Sequence, residues 1–217
     1  SSTVSSDSNM GVIDTLDSGD LMGWAASDAC GPDGTTGGEG GDIVTVSNVD
    51  EFKDAFSGDE PRVIYVEGTL SGGGSVSGRN KTVIGGSGAG FTGGININSS
   101  ENIIVKNVEI SFGSDSMNLS RSTCVWLDHN TFRDGRDGNL DMVVGVNYVT
   151  VSWSKFYYTE GHSHMLSNLT ANQNHASVDV GKFKVTFHHN WWGAGVKERM
   201  PRTRYGDIHV FNNYYKY

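Results

Sequence analysis

Val185-Thr-Phe-His-His-Asn-Trp-Trp192 and Ile208-His-Val-Phe-Asn-Asn-Tyr-Tyr215 are two copies of one pattern, a strand-like run that breaks into an asparagine and two aromatics. Three earlier stretches align with them: Asn102–Ile110, Cys124–Phe132 and Tyr148–Phe156. With Lys184 and Asp207 as first places of the last two copies, the second place reads Ile103, Val125, Val149, Val185 and Ile208. The fourth reads Val105, Leu127, Val151, Phe187 and Val210, and the ninth Ile110, Phe132, Phe156, Trp192 and Tyr215. Successive copies start 22, 24, 36 and 23 residues apart. Side chains alternate along a strand, so the second and fourth places share the inner face. The seventh place is Asn130, Ser154, Asn190 and Asn213 in the last four copies, where stacked amides can hydrogen-bond from coil to coil. Such a period with strands this short predicts an all-β solenoid, a parallel β-helix rather than a leucine-rich repeat. A β-sandwich would not require matching residues at each place.

The 217 residues suffice for one domain, here residues 1–217, and thirty glycines with three prolines fit a chain of many tight turns. No run of about 18 apolar residues is present, so no membrane-spanning helix is expected. The start, SSTVSSDSNM, lacks a charged region followed by an apolar one. Residues 1–42 read as a turn-rich, loop-like cap, and Asn48–Phe56 as a short helix opened by a capping asparagine and early acids. Arg62–Gly68 and Lys81–Gly86 read as glycine-bounded strands. Cys30 and Cys124 permit one disulfide without proving it.

The net charge of −9 argues against a nucleic-acid partner. Its distribution says more. Residues 1–60 hold thirteen acids against the one base Lys53, whereas residues 181–217 hold seven bases against Glu198 and Asp207. Arg199-Met-Pro-Arg-Thr-Arg204 is the densest positive stretch. It reads either as a solvated basic loop or as a face that meets an anion.

In a solenoid, residues distant in sequence meet on one face, and the variable segments after each repeated strand are the place for function. Asp137-Gly-Asn-Leu-Asp141 lies one coil after Asp115. With Asn139–Val144 as a strand, Asp141 can stand beside Asp115, and Asp137 can bend back towards both. Three carboxylates without nearby cysteine or histidine suit a hard cation, Ca²⁺ rather than Zn²⁺. Two coils further on, Pro201 pushes Met200 towards extended geometry, so Arg202 and Arg204 share a strand face. Guanidinium groups beside a calcium site suit a carboxylate-bearing polymer.

At this point the chain resembles the pectate lyases of polysaccharide lyase family 1. The resemblance is carried by Val125–Phe132, Asp137–Asp141, Val149–Trp153, Val185–Asn190, Arg199–Arg204 and His209–Asn213, with Gly37–Gly41 and Lys81–Gly86 as early motifs. It implies a right-handed parallel β-helix that cleaves α-1,4-polygalacturonate by β-elimination with Ca²⁺. It also implies a secreted, extracellular protein acting as a monomer on pectin, with neither a nucleic-acid nor a membrane partner. Asp115, Asp137 and Asp141 fall on the family's calcium ligands, Arg199 on the arginine that takes the C5 proton, and Arg204 on one that holds a substrate carboxylate. Arg202 joins it as a substrate-binding candidate. A guanidinium holds its proton through the accessible range, so such a base needs a cationic, desolvated setting or high pH.

Two departures stand out. The family lysine that grips a substrate carboxylate is missing from Glu160–Leu169, its place closest to Met165, and His162 and His164 read either as neighbours able to serve or as structural histidines. Family members also continue with further coils beyond the Asn-Asn-Tyr-Tyr run, whereas this chain ends at Tyr217. A non-catalytic β-helix that binds acidic glycans is the rival the first departure raises. Pectin lyase is a second rival, disfavoured by the three aspartates. Asp128, His129, His188 and His189 read as structural residues of the repeated strands. Trp191, Trp192, Tyr214 and Tyr215 read as core and flank.

Overall fold

A computed structural model of the chain describes residues 21–159, 161–171 and 176–216. Three parallel sheets wind into a β-solenoid, with one strand of each sheet per complete coil. The first sheet holds β1 (Asp42–Val46), β2 (Arg62–Val66), β5 (Arg79–Gly85), β8 (Glu101–Lys106), β11 (Thr123–Asp128), β14 (Asn147–Ser152), β17 (Val185–His188) and β20 (Ile208–Phe211). The second holds β3 (Thr69–Leu70), β6 (Gly90–Phe91), β9 (Glu109–Ser111), β12 (Thr131–Arg133), β15 (Lys155–Tyr157), β18 (Trp191–Trp192) and β21 (Tyr214–Tyr215). The third holds β4 (Gly74–Val76), β7 (Ile95–Asn98), β10 (Asp115–Ser120), β13 (Gly138–Val143), β16 (Asn168–Thr170) and β19 (Arg202–Thr203).

The expected register is observed. Val125 pairs with Ile103 and Val149, and Val149 with Val185, which in turn pairs with Ile208. Except at the last coil these residues are buried in one continuous core. The ninth place forms an internal ring stack: Phe132, Phe156, Trp192 and Tyr215 follow at 5.2, 5.4 and 4.9 Å. Each such pair adds about 0.5–1.5 kcal/mol beyond burial of its area.

The amide ladder differs in detail from side chains bonding one another. Asn190 Oδ1 accepts from the Ser154 backbone N–H at 3.0 Å, and Asn190 Nδ2 donates to the Val151 carbonyl at 2.9 Å. Asn130 and Asn213 do the same one coil back, to Val108 N–H and Val105 O, and to Asn190 N–H and Phe187 O. The turn between first and second sheets leaves backbone groups that no strand satisfies, and the amide supplies one acceptor and one donor to them. The residue before it adopts a left-handed φ of 48–54° at His129, Trp153, His189 and Asn212.

The helix, here α1 (Val49–Phe56), is capped by Asn48, whose side chain accepts from Glu51 N–H at 2.9 Å. It packs Phe52 and Phe56 over the first coils. The cap expected over residues 1–42 is described from Leu21 onward. There it runs across the outer face of the first sheet, with Ala25 packed on Ile104 and Trp126. Cys30 and Cys124 form the disulfide that fastens it. Residue 42 belongs not to the cap but to β1, a strand its sequence did not announce. Asp128, His129, His188 and His189, read as structural, make contacts within the fold: Ser152 Oγ donates to Asp128 Oδ1 at 2.6 Å, His129 Nδ1 lies 2.9 Å from Asp128 Oδ2, and His188 Nδ1 lies 2.8 Å from His189 Nδ1.

Candidate active site

The third sheet is entered through loops of variable length, and the charged residues gather at these entries. Asp115 opens β10, Asp137 precedes β13, and Asp141 sits within it. Arg199 lies in the loop before β19, Arg202 opens that strand, and Arg204 follows it.

Register corrects one expectation. Asp115 pairs with Gly138, and Asp141 pairs with Asn118, so the two aspartates are not direct neighbours across the ladder. Their carboxylates converge all the same. A Cβ built on Gly138 would lie 2.8 Å from Asp141 Oδ1 and 3.2 Å from Asp115 Oδ1, so both oxygens lean over a position that carries no side chain. Asp115 Oδ1 is buried with no hydrogen-bond partner among the described residues. Asp141 Oδ1 accepts from Leu169 N–H at 3.2 Å.

Burial and mutual repulsion set their ionisation. Burial pushes the Asp115 carboxyl up to about 6, the Asp137 charge adds to it, and Asn118 and Arg199 oppose it. Burial raises Asp141 to about 7, helped by the Asp115 charge and opposed by the Leu169 N–H and by Arg199. Crowded carboxylates of this kind resist losing their protons unless a cation joins them.

Arg199 is held by the coil beside it. Its carbonyl accepts from Asn168 N–H at 2.6 Å, and its φ of 61° lies in the left-handed region, which an arginine adopts only under such restraint. Its side chain is 16 % exposed, with Nη1 3.9 Å from Asp141 Oδ2 and a buried Nε that has no partner among the described residues. Arg202 pairs with Leu169, which pairs with Asp141, so a column runs Asn118, Asp141, Leu169, Arg202 along the outer face. Arg204 N–H donates to the Thr170 carbonyl at 3.1 Å, which sets Arg204 at the end of the same sheet.

The two histidines part company. His164 Nδ1 stands 3.5 Å from Asp137 Oδ1, both side chains more than half exposed. His162 Nε2 instead turns to the fully buried Asp134 at 3.2 Å. Arg133 and the Thr159 backbone N–H also donate to Asp134, and these contacts hold its carboxyl below the usual range despite burial. Thus His162 secures the loop, and His164 faces the carboxylates.

Among the described residues, no three acidic, histidine or cysteine side chains stand close enough to hold a metal ion as they are. The donor set nonetheless fits a hard cation. Buried Asp141 and half-buried Asp115 share the Gly138 position, Asp115 Oδ1 has no partner among the described residues, and Asp137 adds charge from the preceding residue. Sequence reasoning missed Gly138, Asn118 and Asn168, which carry no charge. The Gly inside Asp137-Gly-Asn-Leu-Asp141 was the one available signal.

A family model described as pectate lyase matches residues 9–217. The chain is 34% identical over 209 residues to a pectate trisaccharide-lyase of Thermotoga maritima, covering 85% of this chain and 53% of that protein. It is 38% identical over 208 residues to pectate lyase B of Colletotrichum gloeosporioides, covering 88% and 61%. A Bacillus pectate lyase solved in complex with trigalacturonate superposes with a TM-score of 0.76 at 30% identity, over 90% of this chain and 68% of that one. The chain spans about half the length of the first curated relatives it matches. By sequence and by fold, it belongs to the pectate lyase family.

Proposed function

We propose that this chain cleaves polygalacturonate by Ca²⁺-dependent β-elimination, leaving 4,5-unsaturated oligogalacturonates. The observation that carries this reading is the convergence of Asp115 and Asp141 over Gly138 with Arg199 3.9 Å from Asp141. An acidic cluster beside a desolvated guanidinium suits a uronate bound through a cation.

Asp115, Asp137 and Asp141 would hold the Ca²⁺. When bound, the ion draws charge from the uronate carboxylate and makes the adjacent C5–H more acidic. In the fraction of molecules whose Arg199 has given up its guanidinium proton, the neutral guanidine would accept the C5 proton, the electron pair would form the C4–C5 double bond, and the C4–O bond would break. The departing oxygen takes up a proton from solvent. Arg204 holds a substrate carboxylate, and exposed Arg202 borders the same column. His164, at Asp137, takes the position nearest to the missing lysine's task, whereas His162 serves the loop. The disulfide supports a secreted, extracellular setting, since such bonds persist in oxidising compartments.

Polygalacturonate is incubated with the protein in Ca²⁺ and in excess chelator, and the ultraviolet absorbance of the unsaturated product is followed. Absorbance that rises only with Ca²⁺ is the expected result. Equal rates in chelator would remove the calcium assignment, and binding without absorbance would favour a non-catalytic glycan-binding β-helix.

A further inference from the structure

Inside the third sheet, the coil next to Arg199 breaks the apolar rule of the core. Ile95, Met117 and Leu140 stand in register on the inner face, and the next place in that column is Asn168. Ser167 and Asn168 are both fully buried. Their side chains converge on one donor of the internal ring stack. The Trp192 indole N–H donates to Asn168 Oδ1 at 2.6 Å and to Ser167 Oγ at 3.1 Å, and Ser167 Oγ donates to Asn168 Oδ1 at 2.8 Å. Asn168 Nδ2 is buried without a partner among the described residues. A leucine would continue the column and leave no amide unpaired, so asparagine costs stability at this place. A residue that breaks a local rule at such a cost is expected where function requires it.

The backbone of the same residues leads to the site. Asn139 N–H and Leu140 N–H, on the strand that carries Asp141, donate to the Ser167 carbonyl at 2.9 and 3.1 Å. Ser167 N–H donates to the Glu198 carbonyl at 3.0 Å, and Asn168 N–H to that of Arg199 at 2.6 Å. Leu169 N–H donates to Asp141 Oδ1. Ser167-Asn168-Leu169 therefore stands between the carboxylate and the arginine, and grips Arg199 where its φ is 61°. The ladder alone holds this coil weakly, since β16 is three residues long and β19 two. Trp192, in contrast, is fully buried and stacked on both sides, on Phe156 at 5.4 Å and on Tyr215 at 4.9 Å.

We propose that Asn168 and Trp192 are positioning residues for Arg199. The indole N–H, fixed by the ring stack, holds the Asn168 side chain, and through it the backbone that sets where Arg199 stands relative to Asp141. Neither side chain reaches solvent, so neither touches the polymer. The inference rests on the proton-transfer role proposed above for Arg199. Such a transfer is sensitive to distance, and a misplacement of about 1 Å costs on the order of a hundredfold in rate.

Asn168→Leu and Trp192→Phe, in the full chain, test this. Leucine continues the Leu140 column, and phenylalanine fills the place of Trp192 on the two preceding coils, as Phe132 and Phe156. Turnover and KM on polygalacturonate are measured in saturating Ca²⁺, with Ca²⁺ affinity and melting temperature alongside. Each variant should lose about ten- to a hundredfold in kcat, with KM and Ca²⁺ affinity within about twofold of the parent. Asn168→Leu should melt no lower than the parent, a combination that a merely structural role does not produce. Placement is read without turnover from hydrogen exchange of the Arg199 Nε–H, followed by nitrogen NMR of arginine-labelled protein in chelator and assigned by its loss in Arg199→Lys. This proton should exchange faster in both variants, with the other arginines unchanged. Parent-like kcat in an Asn168→Leu protein that melts like the parent would overturn the proposal. Should that variant not fold, Trp192→Phe decides on the same readings. Turnover that falls only in step with melting temperature or Ca²⁺ affinity would reduce both residues to packing. A parent that gives no elimination, with Arg199 Nε–H exchange still released in the variants, would leave the positioning role standing and remove the catalytic reading alone.

Discussion

Arg199 Nη1 and Asp141 Oδ2 stand 3.9 Å apart, although 58 residues separate them in sequence (199 − 141). The relationship exists because the strand bearing Asp141 pairs with Leu169, and the backbone next to Leu169 grips Arg199 from the following coil. Arg199 is a close positive charge beside a carboxylate that burial and Asp115 otherwise discourage from ionising.

Asp141→Asn tests the metal role with little change of shape. The amide oxygen can still accept from Leu169 N–H, but the charge is gone. Calcium affinity, read by calorimetric titration, should fall by about an order of magnitude or more, since ligand charge sets affinity at such sites. Unchanged affinity would exclude Asp141 from the site.

Arg199 and Arg204 should separate in kinetics. Arg199→Lys keeps a positive charge but moves it and loses the planar fork, so turnover should collapse while oligogalacturonate binding is largely spared. Arg204→Ala should weaken binding as well, by roughly ten- to a hundredfold for a charge-assisted pair of about 1.5–3 kcal/mol. Near-normal elimination by Arg199→Lys would remove its role in proton transfer.

The raised carboxylates fix how the metal-free protein responds to pH. Asp141, at about 7, and Asp115, at about 6, hold protons in the native state that the unfolded chain releases near 4. Between these limits the native state binds more protons, so stability falls as pH rises from about 4 to 7, on the order of a few kcal/mol. His188 acts in the opposite sense: burial lowers it to about 4, so its contribution is lost as pH falls through 6.5. Thermal melts in chelator should therefore show Asp141→Asn gaining stability over the parent at pH 8 and not at pH 4. Ca²⁺ should raise the parent's melting temperature most at the higher pH. No difference between parent and variant across this range would contradict the burial of a repelling charge.

Asn190→Ala strips two buried backbone groups of their partners, the Ser154 N–H and the Val151 carbonyl. Each costs roughly 1–3 kcal/mol when left unpaired. Asn213→Ala, in the more open last coil, should cost less. Denaturant titration would compare them, and equal losses would mean that the ladder is not governed by burial.

Reduction of Cys30–Cys124 releases a cross-link 94 residues long, for which loop-closure entropy gives about 4–5 kcal/mol. Reduced protein should melt at a lower temperature and expose Ala25, Ile104 and Trp126 at the outer face of the first sheet. A shift in the fluorescence of Trp126 would report this.

The sequence by itself determined the architecture, because a solenoid repeats one local problem. Each coil must place two apolar residues inward and satisfy one turn, so Val125, Leu127 and Asn130 recur as Val149, Val151 and Ser154, and as Val185, Phe187 and Asn190. It also marked Asp115, Asp137, Asp141 and Arg199, because charge in the variable segments that follow the repeated strands breaks the pattern. Tertiary structure alone decided how these groups meet. Asp141 pairs with Asn118 and reaches Asp115 over Gly138, a matter of strand register that the spacing did not reveal. His162 and His164 look equivalent in sequence, but one anchors to buried Asp134 and the other faces Asp137. Whether Trp191 or Trp192 enters the core likewise follows from which way the turn at Asn190 directs the strand. Packing of neighbouring coils settles such alternatives, since only there do the burial, repulsion and hydrogen bonds that distinguish chemically identical residues come into being.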